Sequence, residues 1–326
     1  MADVALLAGV SHQTVSRVLN GHPSVSAATR ERVLAAVKEL DYRRNLAARA
    51  LVTRRSRLLG VISYDTTLYG PASTLHGIQR AARRAGYFVS VASLKALDRA
   101  TISDAFDRLA EQGVEGLVVI APVHEALRAL ATVTERVPMV VVEGGAVRGL
   151  SSVSVDQVAG ARLATRHLLD QGVSSVVHVA GPRDWPEAEA RMSGWRRELA
   201  LAGCAAPTPL RGDWSPASGY AAGRRLAAAD PSVEAVFVAN DQMALGVLWA
   251  LHEAGVRVPA DVLVVGFDDV PEAAYYVPPL TTVRQDFATV GQRSIELLLH
   301  HIGDRPSEPP AVVVQPELVV RRSSLR

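Results

Sequence analysis

The chain has 326 residues, of which 48% are apolar, and its formal net charge at pH 7 is +2. This length suits a small head joined to a larger body with buried cores, and the lack of a long uncharged apolar run or a secretory leader predicts neither a membrane span nor export. The single cysteine, Cys204, excludes an intrachain disulfide and favours a reducing cytoplasm.

The N-terminal residues are predicted to form two short helices joined by a tight turn. The segment DVALLAG (Asp3–Gly9) has a helical pattern that ends at Gly9, and Ser11 stands at an N-cap position for the helix in VSHQTVSRVLNG. The polar side chains of that second helix follow one continuous stripe, His12, Gln13, Ser16, Arg17 and Asn20. Helix, glycine-containing turn and helix are the parts of a helix-turn-helix motif.

The composition of this stripe indicates base recognition. A solvated surface helix usually carries Glu and Lys, whereas this one carries Gln, Ser, Arg and Asn. In the major groove Arg pairs with guanine, and Gln or Asn pairs with adenine. An ordinary amphipathic helix with a mixed polar face gives the same short pattern, so the stripe alone leaves both interpretations open.

A third helix and an excess of basic residues complete the head. Ser26 can cap the segment AATRERVLAAVKEL. Its apolar face, which can cover the first two helices, consists of Val33, Leu34, Val37 and Leu40. Residues 1–57 contain ten Lys/Arg against four Asp/Glu, a net charge of +6, which leaves −4 on residues 58–326. This asymmetry predicts a head that binds a polyanion and a neutral-to-acidic body.

From Leu58 onward, short apolar runs rich in β-branched residues alternate with helical patterns. The strand candidates are LLGVISY, YFVSVAS, GLVVIAP, PMVVVE, SVVHVAG, TPLRGD, AVFVAN and VLVVGFD. Such runs predict strands buried on both faces of parallel sheets that helices cover. The alternation occurs twice, over about 56–156 and 157–284, so we expect two doubly wound α/β lobes.

Polar residues follow many of the predicted strands, where ligands bind in folds of this class. They are Tyr69 to Pro71, Glu143, Asp156, Arg191, Asp213, Trp214, Asn240 to Gln242, Asp268, Asp269 and Gln285 to Phe287. Carboxylates, amides and an Arg side chain bind vicinal hydroxyls, and an indole stacks on the apolar face of a pyranose, so the set suits a sugar. Each Asp or Asn taken alone is equally well explained as the N-cap of the next helix.

These motifs resemble a known family. The segment VSHQTVSRVLNG…VSAATRERVLAAVKELDY is similar to the DNA-binding head of the lactose-repressor (LacI/GalR-type) family of bacterial transcription regulators. The segments AGPRDWPEAEARMSGW, VANDQMALG and VVGFDDVPEAAYYVPPLTTVRQDFATVG resemble the core of the lactose-repressor type of that family. The resemblance extends from Asp3 to about Leu325.

The resemblance implies a domain organisation with an all-α helix-turn-helix head and a periplasmic-binding-protein-like α/β body of two doubly wound parallel-sheet lobes. The implied boundaries are 1–44 for the head, 45–57 for a hinge helix or linker, and 58–326 for the core, with lobe 1 at about 58–156 plus 287–313 and lobe 2 at about 157–284 plus 314–322. The hinge segment is too short to be a stable helix alone, so a flexible basic linker is the alternative for the isolated protein.

The resemblance also implies site residues and partners. The implied contacts to operator DNA are Ser11, His12, Gln13, Thr14, Ser16, Arg17, Asn20, Asn45 and Leu51, the last as a wedge in the minor groove. The implied contacts to a galactose- or β-galactoside-like effector are Tyr69, Pro71, Glu143, Arg191, Trp214, Asn240, Asp268, Gln285 and Phe287. No cofactor or metal is implied. The C-terminal segment PELVVRRSSLR has no heptad repeat, so the helical bundle that joins dimers into tetramers in the lactose-repressor type is not expected. The expected assembly is therefore a homodimer.

Several positions depart from the family pattern. Near the expected cavity, Glu143 replaces a shorter Asp, Ile120 replaces a polar Asn, and Trp185 adds an aromatic side chain at the expected mouth. In the head, His12 replaces a Tyr. The preferred sugar and the operator sequence are expected to differ accordingly.

Other classes of protein fit parts of the sequence. The body alone is compatible with a periplasmic-type sugar-binding protein, although the basic head and the missing leader argue against it. A regulator of a different sugar that acts with a corepressor also remains open. A glycosidase would use two of Asp241, Asp268 and Asp269 as its carboxyl pair. Sugar binding needs carboxylates as well, so we expect no enzymatic activity.

Overall fold

The computed structural model describes residues 1–19, 21–42, 55–94, 98–121, 123–126, 137–144, 149–228, 233–303 and 310–326. The chain divides into two compact units, Met1–Ser56 and Arg57–Arg326. The predicted positions Asn20, Asn45 and Leu51, and with them most of the predicted hinge, lie outside the described residues.

The first unit contains the helices α1 (Ala2–Ala8), α2 (His12–Leu19) and α3 (Ala27–Glu39). Gly9 has a left-handed φ of 63°, which closes the turn between α1 and α2. Ser11 Oγ accepts a hydrogen bond from the Thr14 N–H at 3.1 Å, and Ser26 Oγ accepts one from the Thr29 N–H at 3.4 Å. Both predicted N-caps are therefore confirmed.

Three buried valines form the centre of the hydrophobic core of the first unit. Val4, Val15 and Val33, one from each helix, are fully buried. The predicted apolar face of α3 is wrong in part, because Leu34 and Leu40 are exposed. Helices α1 and α2 cover only a narrow stripe of α3; Leu34 points away from that stripe, and Leu40 lies beyond the last turn.

The second unit contains two six-stranded sheets. The first has the strands β1 (Leu58–Tyr64), β2 (Phe88–Leu94), β3 (Gly116–Ile120), β4 (Met139–Val142), β5 (Ser151–Val155) and β11 (Ala311–Val314), in the order β11-β5-β4-β3-β1-β2. All of its strand pairs are parallel. The helices packed against it are α4 (Tyr69–Arg84), α5 (Arg99–Glu111) and α10 (Phe287–Gly303).

The second sheet has the same layered arrangement. Its strands are β6 (Val177–Ala180), β7 (Leu210–Arg211), β8 (Ala235–Val238), β9 (Leu263–Asp268), β10 (Thr281–Arg284) and β12 (Glu317–Val319), in the order β12-β10-β9-β8-β6-β7. Only β12 runs antiparallel to its neighbour. Its helices are α6 (Gln157–Asp170), α7 (Pro186–Leu201), α8 (Pro216–Ala228) and α9 (Asp241–Glu253).

The chain passes between the two sheets at three places, after β5, between β10 and α10, and between β11 and β12. The predicted fold class is confirmed: an all-α helix-turn-helix head and an α/β body of two doubly wound, mainly parallel lobes. Such a body has a ligand-sized crevice where the carboxyl ends of the two sets of strands meet.

Two strands differ from the prediction of burial on both faces. Strand β2 lies at the edge of the first sheet, where Phe88 is 59% exposed. Strand β7, predicted over TPLRGD, is reduced to Leu210–Arg211 at the edge of the second sheet. The central strands β3, β4, β8 and β9 are buried along their whole length. Burial therefore follows position in the sheet, which a local apolar run does not specify.

Candidate functional site

A cavity of about 250 Å³ lies between the two lobes, at the carboxyl ends of their strands. All nine residues predicted to bind an effector line it, namely Tyr69, Pro71, Glu143, Arg191, Trp214, Asn240, Asp268, Gln285 and Phe287. They come from both lobes, and most lie near the carboxyl end of a strand, whereas Arg191 lies on α7. The fold therefore brings together side chains that are more than 200 residues apart in the chain.

Three hydrogen bonds and one ion pair join the side chains at the polar centre of the cavity. Arg191 Nε donates to Gln157 Oε1 at 2.9 Å, and Gln157 Nε2 donates to Gln285 Oε1 at 2.8 Å. Gln285 Nε2 then donates to Asp268 Oδ1 at 2.7 Å, and this oxygen lies 3.7 Å from Arg191 Nη2. Gln157, absent from the predicted site, thus joins the two charged groups.

Asp268 and Arg191 are both buried, and each affects the ionisation of the other. Burial raises the pKa of Asp268 to about 6, opposed by the neighbouring guanidinium of Arg191 and by the Gln285 amide. Burial likewise lowers the pKa of Arg191, and Asp268 opposes this change. At pH 7 the two groups form an ion pair inside a preorganised amide frame, which can hold vicinal hydroxyls.

Aromatic rings form two walls of the cavity. The rings of Tyr69 and Phe287 meet edge to face with their centroids 5.9 Å apart. On the other side, Trp214 meets Trp185 in the same manner at 5.4 Å. The Arg191 guanidinium lies 5.6 Å from the centre of the Trp214 ring, so the charged centre and this wall are in direct contact.

A pair of acidic side chains, one from each lobe, forms a further wall. Thr74 Oγ1 donates to Glu143 Oε1 at 2.7 Å, and the Gly144 N–H donates across the cleft to Glu187 Oε1. Burial, followed by the nearby carboxyl of Glu187, raises the pKa of Glu143 to about 8. Burial also raises the pKa of Glu187.

Glu187 was not among the predicted site residues. The signal for it was its spacing, because Glu187 stands four residues before Arg191 on α7, and such positions share one face of a helix. The N-cap Trp185 is also part of the wall rather than the mouth, since it is nearly fully buried. Ile120 is buried in the core of the first lobe and does not line the cavity.

Three cavity residues hold left-handed backbone conformations that favour glycine. The φ angle is 66° at Glu143, 75° at Trp214 and 113° at Asp268. Such angles cost free energy in residues with a Cβ atom, and they persist where the surrounding structure enforces them. Their concentration in one cavity is typical of a functional site, and it was not predictable from the residue types.

Several other polar residues that follow strands cap the N-terminus of the next helix. Asp156 and Asp286 accept hydrogen bonds from Ala159 N–H and Thr289 N–H, so they are N-caps. Asn240 caps α9 through Met243 N–H and also lines the cavity.

Asp241 and Asp269 lie outside the cavity. Asp241 is fully buried and accepts hydrogen bonds from Thr282 Oγ1 and the Val270 N–H. Asp269 pairs with Arg284 and Arg321, both at 2.7 Å. Of the three aspartates that a glycosidase would use, only Asp268 therefore faces the cavity, and they do not form the carboxyl pair that the alternative requires.

In the first unit, α2 buries one side and exposes the other. Val15 and Val18 are buried, whereas the side chains of Ser11, His12, Gln13 and Arg17 are exposed, and those of Thr14 and Ser16 are partly exposed. The described part of the predicted polar stripe is therefore available to a partner in this unit.

Two negative findings concern the described ranges only. They contain no group of three or more His, Cys, Asp or Glu side chains that could hold a metal ion. They also contain no helix that is long and apolar enough to cross a bilayer.

Family models match both parts of the chain. Residues 1–45 match the model for bacterial regulatory proteins of the lacI family. Residues 165–324 match the model for a periplasmic binding protein-like domain. The order of head and body is thus the one that the resemblance in the sequence implied.

Similar proteins extend this match over nearly the whole chain. The lactose operon repressor of Escherichia coli K12 is 36% identical over 299 residues, which are 91% of this chain and 83% of that protein. The ribose operon repressor of the same strain is 32% identical, and the regulator CelR of Thermobifida fusca is 35% identical. These two alignments cover 99% and 98% of this chain, and 99% and 96% of the relatives.

Solved structures agree with these relatives. The lac repressor dimer bound to operator and the anti-inducer ONPF has a TM-score of 0.88 at 35% identity, and the match covers 99% of this chain and 98% of that chain. The complex of the transcriptional regulator CelR with cellobiose has a TM-score of 0.75 at 33% identity, with 98% of both chains covered. The chain therefore belongs to the lacI family of bacterial regulatory proteins and is a transcriptional repressor of the LacI type.

Proposed function

We propose that the affinity of this repressor for its operator is controlled by a galactose- or β-galactoside-like sugar bound in the inter-lobe cavity. The observation that carries the proposal is the hydrogen-bonded frame of Arg191, Gln157, Gln285 and Asp268 within a cavity walled by aromatic rings. Charged and amide groups held in fixed positions suit the vicinal hydroxyls of a sugar, and the indole of Trp214 suits its apolar face.

The size of the cavity also supports a small saccharide. Its volume of about 250 Å³ is near the lower end of ordinary ligand pockets, which begin at roughly 300 Å³. A galactose-like ring is proposed because Arg191, Trp214, Asn240 and Asp268 match the lactose-repressor type of core. The ribose operon repressor and the CelR–cellobiose complex indicate that relatives bind other sugars, so ribose and cellobiose are the competing ligands.

For the head, we propose that the exposed face of α2 enters the major groove of the operator. Gln13 and Arg17 are the base readers in this proposal, and Ser11, His12, Thr14, Ser16 and Asn20 complete the contact surface. Asn45 and Leu51 belong to the proposed hinge at 45–57, where Leu51 enters the minor groove. The proposed boundaries remain 1–44, 45–57 and 58–326.

We also propose that the protein acts as a homodimer in the cytoplasm. Helix α9 exposes Leu245 and Trp249 one turn apart, and Trp249 is 56% exposed. An exposed apolar helix face of this kind is typical of an interface between subunits. Two heads related by a twofold axis would match the two halves of a palindromic operator.

The proposed mechanism is a shift between two states of the body. The cavity is built from both lobes, so a sugar that binds one lobe arrangement more tightly than the other favours that arrangement. A difference of about 1–3 kcal/mol between the states changes operator affinity about 5–150-fold.

A screen tests the proposal. Full-length protein is melted with galactose, methyl β-D-galactoside, lactose, glucose, ribose and cellobiose, and the best ligand is then added to an operator complex selected from random DNA. We expect a galactoside to raise the melting temperature most and to change operator retention. Stabilisation by ribose or cellobiose alone would refute the galactoside assignment. If no sugar changes the retention of the operator, the proposal that a sugar controls operator affinity is refuted.

A further inference from the structure

A buried carboxyl oxygen in the wall of the cavity has no hydrogen-bond donor among the described residues. Glu187 is 9% exposed and lies in the first turn of α7, with Oε1 bonded to the Gly144 N–H. Glu187 lines the cavity, and its buried Oε2 atom has no hydrogen-bond donor among the described residues. An unpaired buried acceptor destabilises the protein, so a ligand that donates to it gains affinity.

The cavity also has more acidic than basic side chains. Glu143, Glu187 and Asp268 are buried carboxyls in its wall, whereas Arg191 is the one buried cation among the described lining residues. Arg191 is already used, because it donates to Gln157 and to the Ala239 carbonyl and lies against Asp268. Among the described residues, the end of the cavity formed by Glu143 and Glu187 therefore has no cation of its own.

The charges that face this end come from every neighbouring element. Glu143 follows β4, Glu187 and Arg191 lie on α7, and Asp268 ends β9. Burial and, after it, the facing Glu187 raise the pKa of Glu143 to about 8, although Thr74 and Arg191 act to lower it. Asp213, at the exposed edge of the cavity, is bonded to Ser215 and does not change this balance.

The aromatic walls add a matching feature. Trp185 and Trp214 are both buried, and indole faces attract cations. Trp214 Nε1 is a buried donor without an acceptor among the described residues. A ligand with both an ammonium group and a hydroxyl group offers a donor for Glu187 and an acceptor for Trp214. An amino sugar has both groups.

We propose that Glu143 and Glu187 form a cation subsite of the effector cavity that binds the protonated amine of an amino sugar. The inference rests on the proposed function, because it assumes that the cavity binds a saccharide. It narrows the effector class from neutral galactose-like rings to their amino derivatives, such as galactosamine.

The test compares three ligands that differ at one position. Isothermal titration of the full-length protein at pH 7 uses D-galactosamine, D-galactose and N-acetyl-D-galactosamine, each in two buffers of different ionisation enthalpy. We expect galactosamine to bind at least tenfold more tightly than galactose. Its binding should release protons, because the ammonium displaces a proton from the Glu143 and Glu187 pair. N-acetylation, which removes the charge, should abolish both effects.

Variants locate the subsite. Glu187→Gln should reduce the preference for galactosamine over galactose to less than threefold, and Glu143→Gln should remove the proton release. Glu189→Gln is the matched control, because Glu189 lies on the same helix but pairs with Arg211 outside the cavity. It should behave as the parent protein.

The outcomes are separable. If galactose or N-acetylgalactosamine binds as tightly as galactosamine, the cation subsite is wrong and the saccharide site stands. If none of the three ligands binds, both this inference and the galactose-like assignment are wrong. Because the ligand comparison uses the unmodified protein, a variant that misfolds does not affect the decision.

Discussion

Glu143 connects the stability of the second unit to pH through a single carboxyl group. Its pKa is raised from 4.5 to about 8 by burial and by Glu187, so between these values the folded protein holds a proton that the unfolded chain has released. The free energy of unfolding must then fall as pH rises through this window. The penalty is absent below about pH 4.5 and complete above about pH 8.

We therefore expect Glu143→Gln to stabilise the ligand-free protein at high pH only. The amide still accepts the hydrogen bond from Thr74 and carries no charge to bury. The melting temperature should therefore exceed that of the parent by several degrees at pH 8.5 and by less than one degree at pH 4.5. This expectation uses a shift of roughly 2–4 °C per kcal/mol. Thermal melts across this range measure it. A variant whose melting temperature keeps the parent's pH dependence would show that Glu143 is not the titrating group.

Arg17 is the exposed cation on α2 that we propose to read a base. Arg17→Ala should weaken operator binding by about 1–3 kcal/mol and reduce the discrimination at one base position, because a bidentate contact to guanine is lost. Anisotropy titrations against the operator and its single-base variants measure both quantities. An equal loss on every sequence would instead identify a phosphate contact.

At the scale of elements, the crossing of α4 and α10 sets one wall of the cavity. Tyr69 begins α4 and Phe287 begins α10, and their rings are in contact. The helices approach closely because glycines face each other: a Cβ atom on Gly291 would lie 2.3 Å from the Gly77 carbonyl carbon. The wall is thus positioned by two residues that lack side chains.

Gly291→Ala should therefore destabilise the second unit, although alanine is the better helix former. Separating the helices is expected to cost about 1–3 kcal/mol and to weaken sugar binding through Phe287. Gly303→Ala on the same helix is the control, since a Cβ atom there meets no atom of the described residues within 4 Å, and it should be neutral or slightly stabilising. Equal melting temperatures of the two variants would contradict this account of the crossing.

The elements themselves were largely predictable from local sequence. The helix-turn-helix followed from Gly9, Ser11 and Ser26, whose turn and capping roles depend only on near neighbours. The exposure of β2 and the shortness of β7 were not predictable, because both depend on the order of strands in the sheet.

At the scale of the molecule, the nine predicted effector residues meet because the carboxyl ends of parallel strands share one edge. The roles of Asp241 and Asp269 were not predictable, since their partners Thr282 and Arg321 lie 41 and 52 residues away. The spacing of Glu187 to Arg191 indicates its helix face, but its bond to Gly144, which spans 43 residues and joins the two lobes, was not predictable.

The proposed dimer makes a prediction for α9. Trp249→Glu should convert the dimer to monomer at micromolar concentration, because it places a charge in an apolar interface, and operator affinity should fall with it. Light scattering after size exclusion measures the mass. Leu201→Glu, at an exposed leucine on α7, is the control and should leave the mass unchanged. A dimeric Trp249→Glu variant would place the interface elsewhere.

The most direct test of the account measures operator affinity and sugar affinity on the same protein, each with and without the other ligand. If the cavity and the head are coupled, a saturating sugar changes the operator Kd at least fivefold, and the operator changes the sugar Kd by the same factor. Asp268→Asn, which disrupts the buried frame, should bind operator with unchanged affinity and lose the response to sugar. Two ligands that bind the parent protein tightly without affecting each other would contradict the central claim.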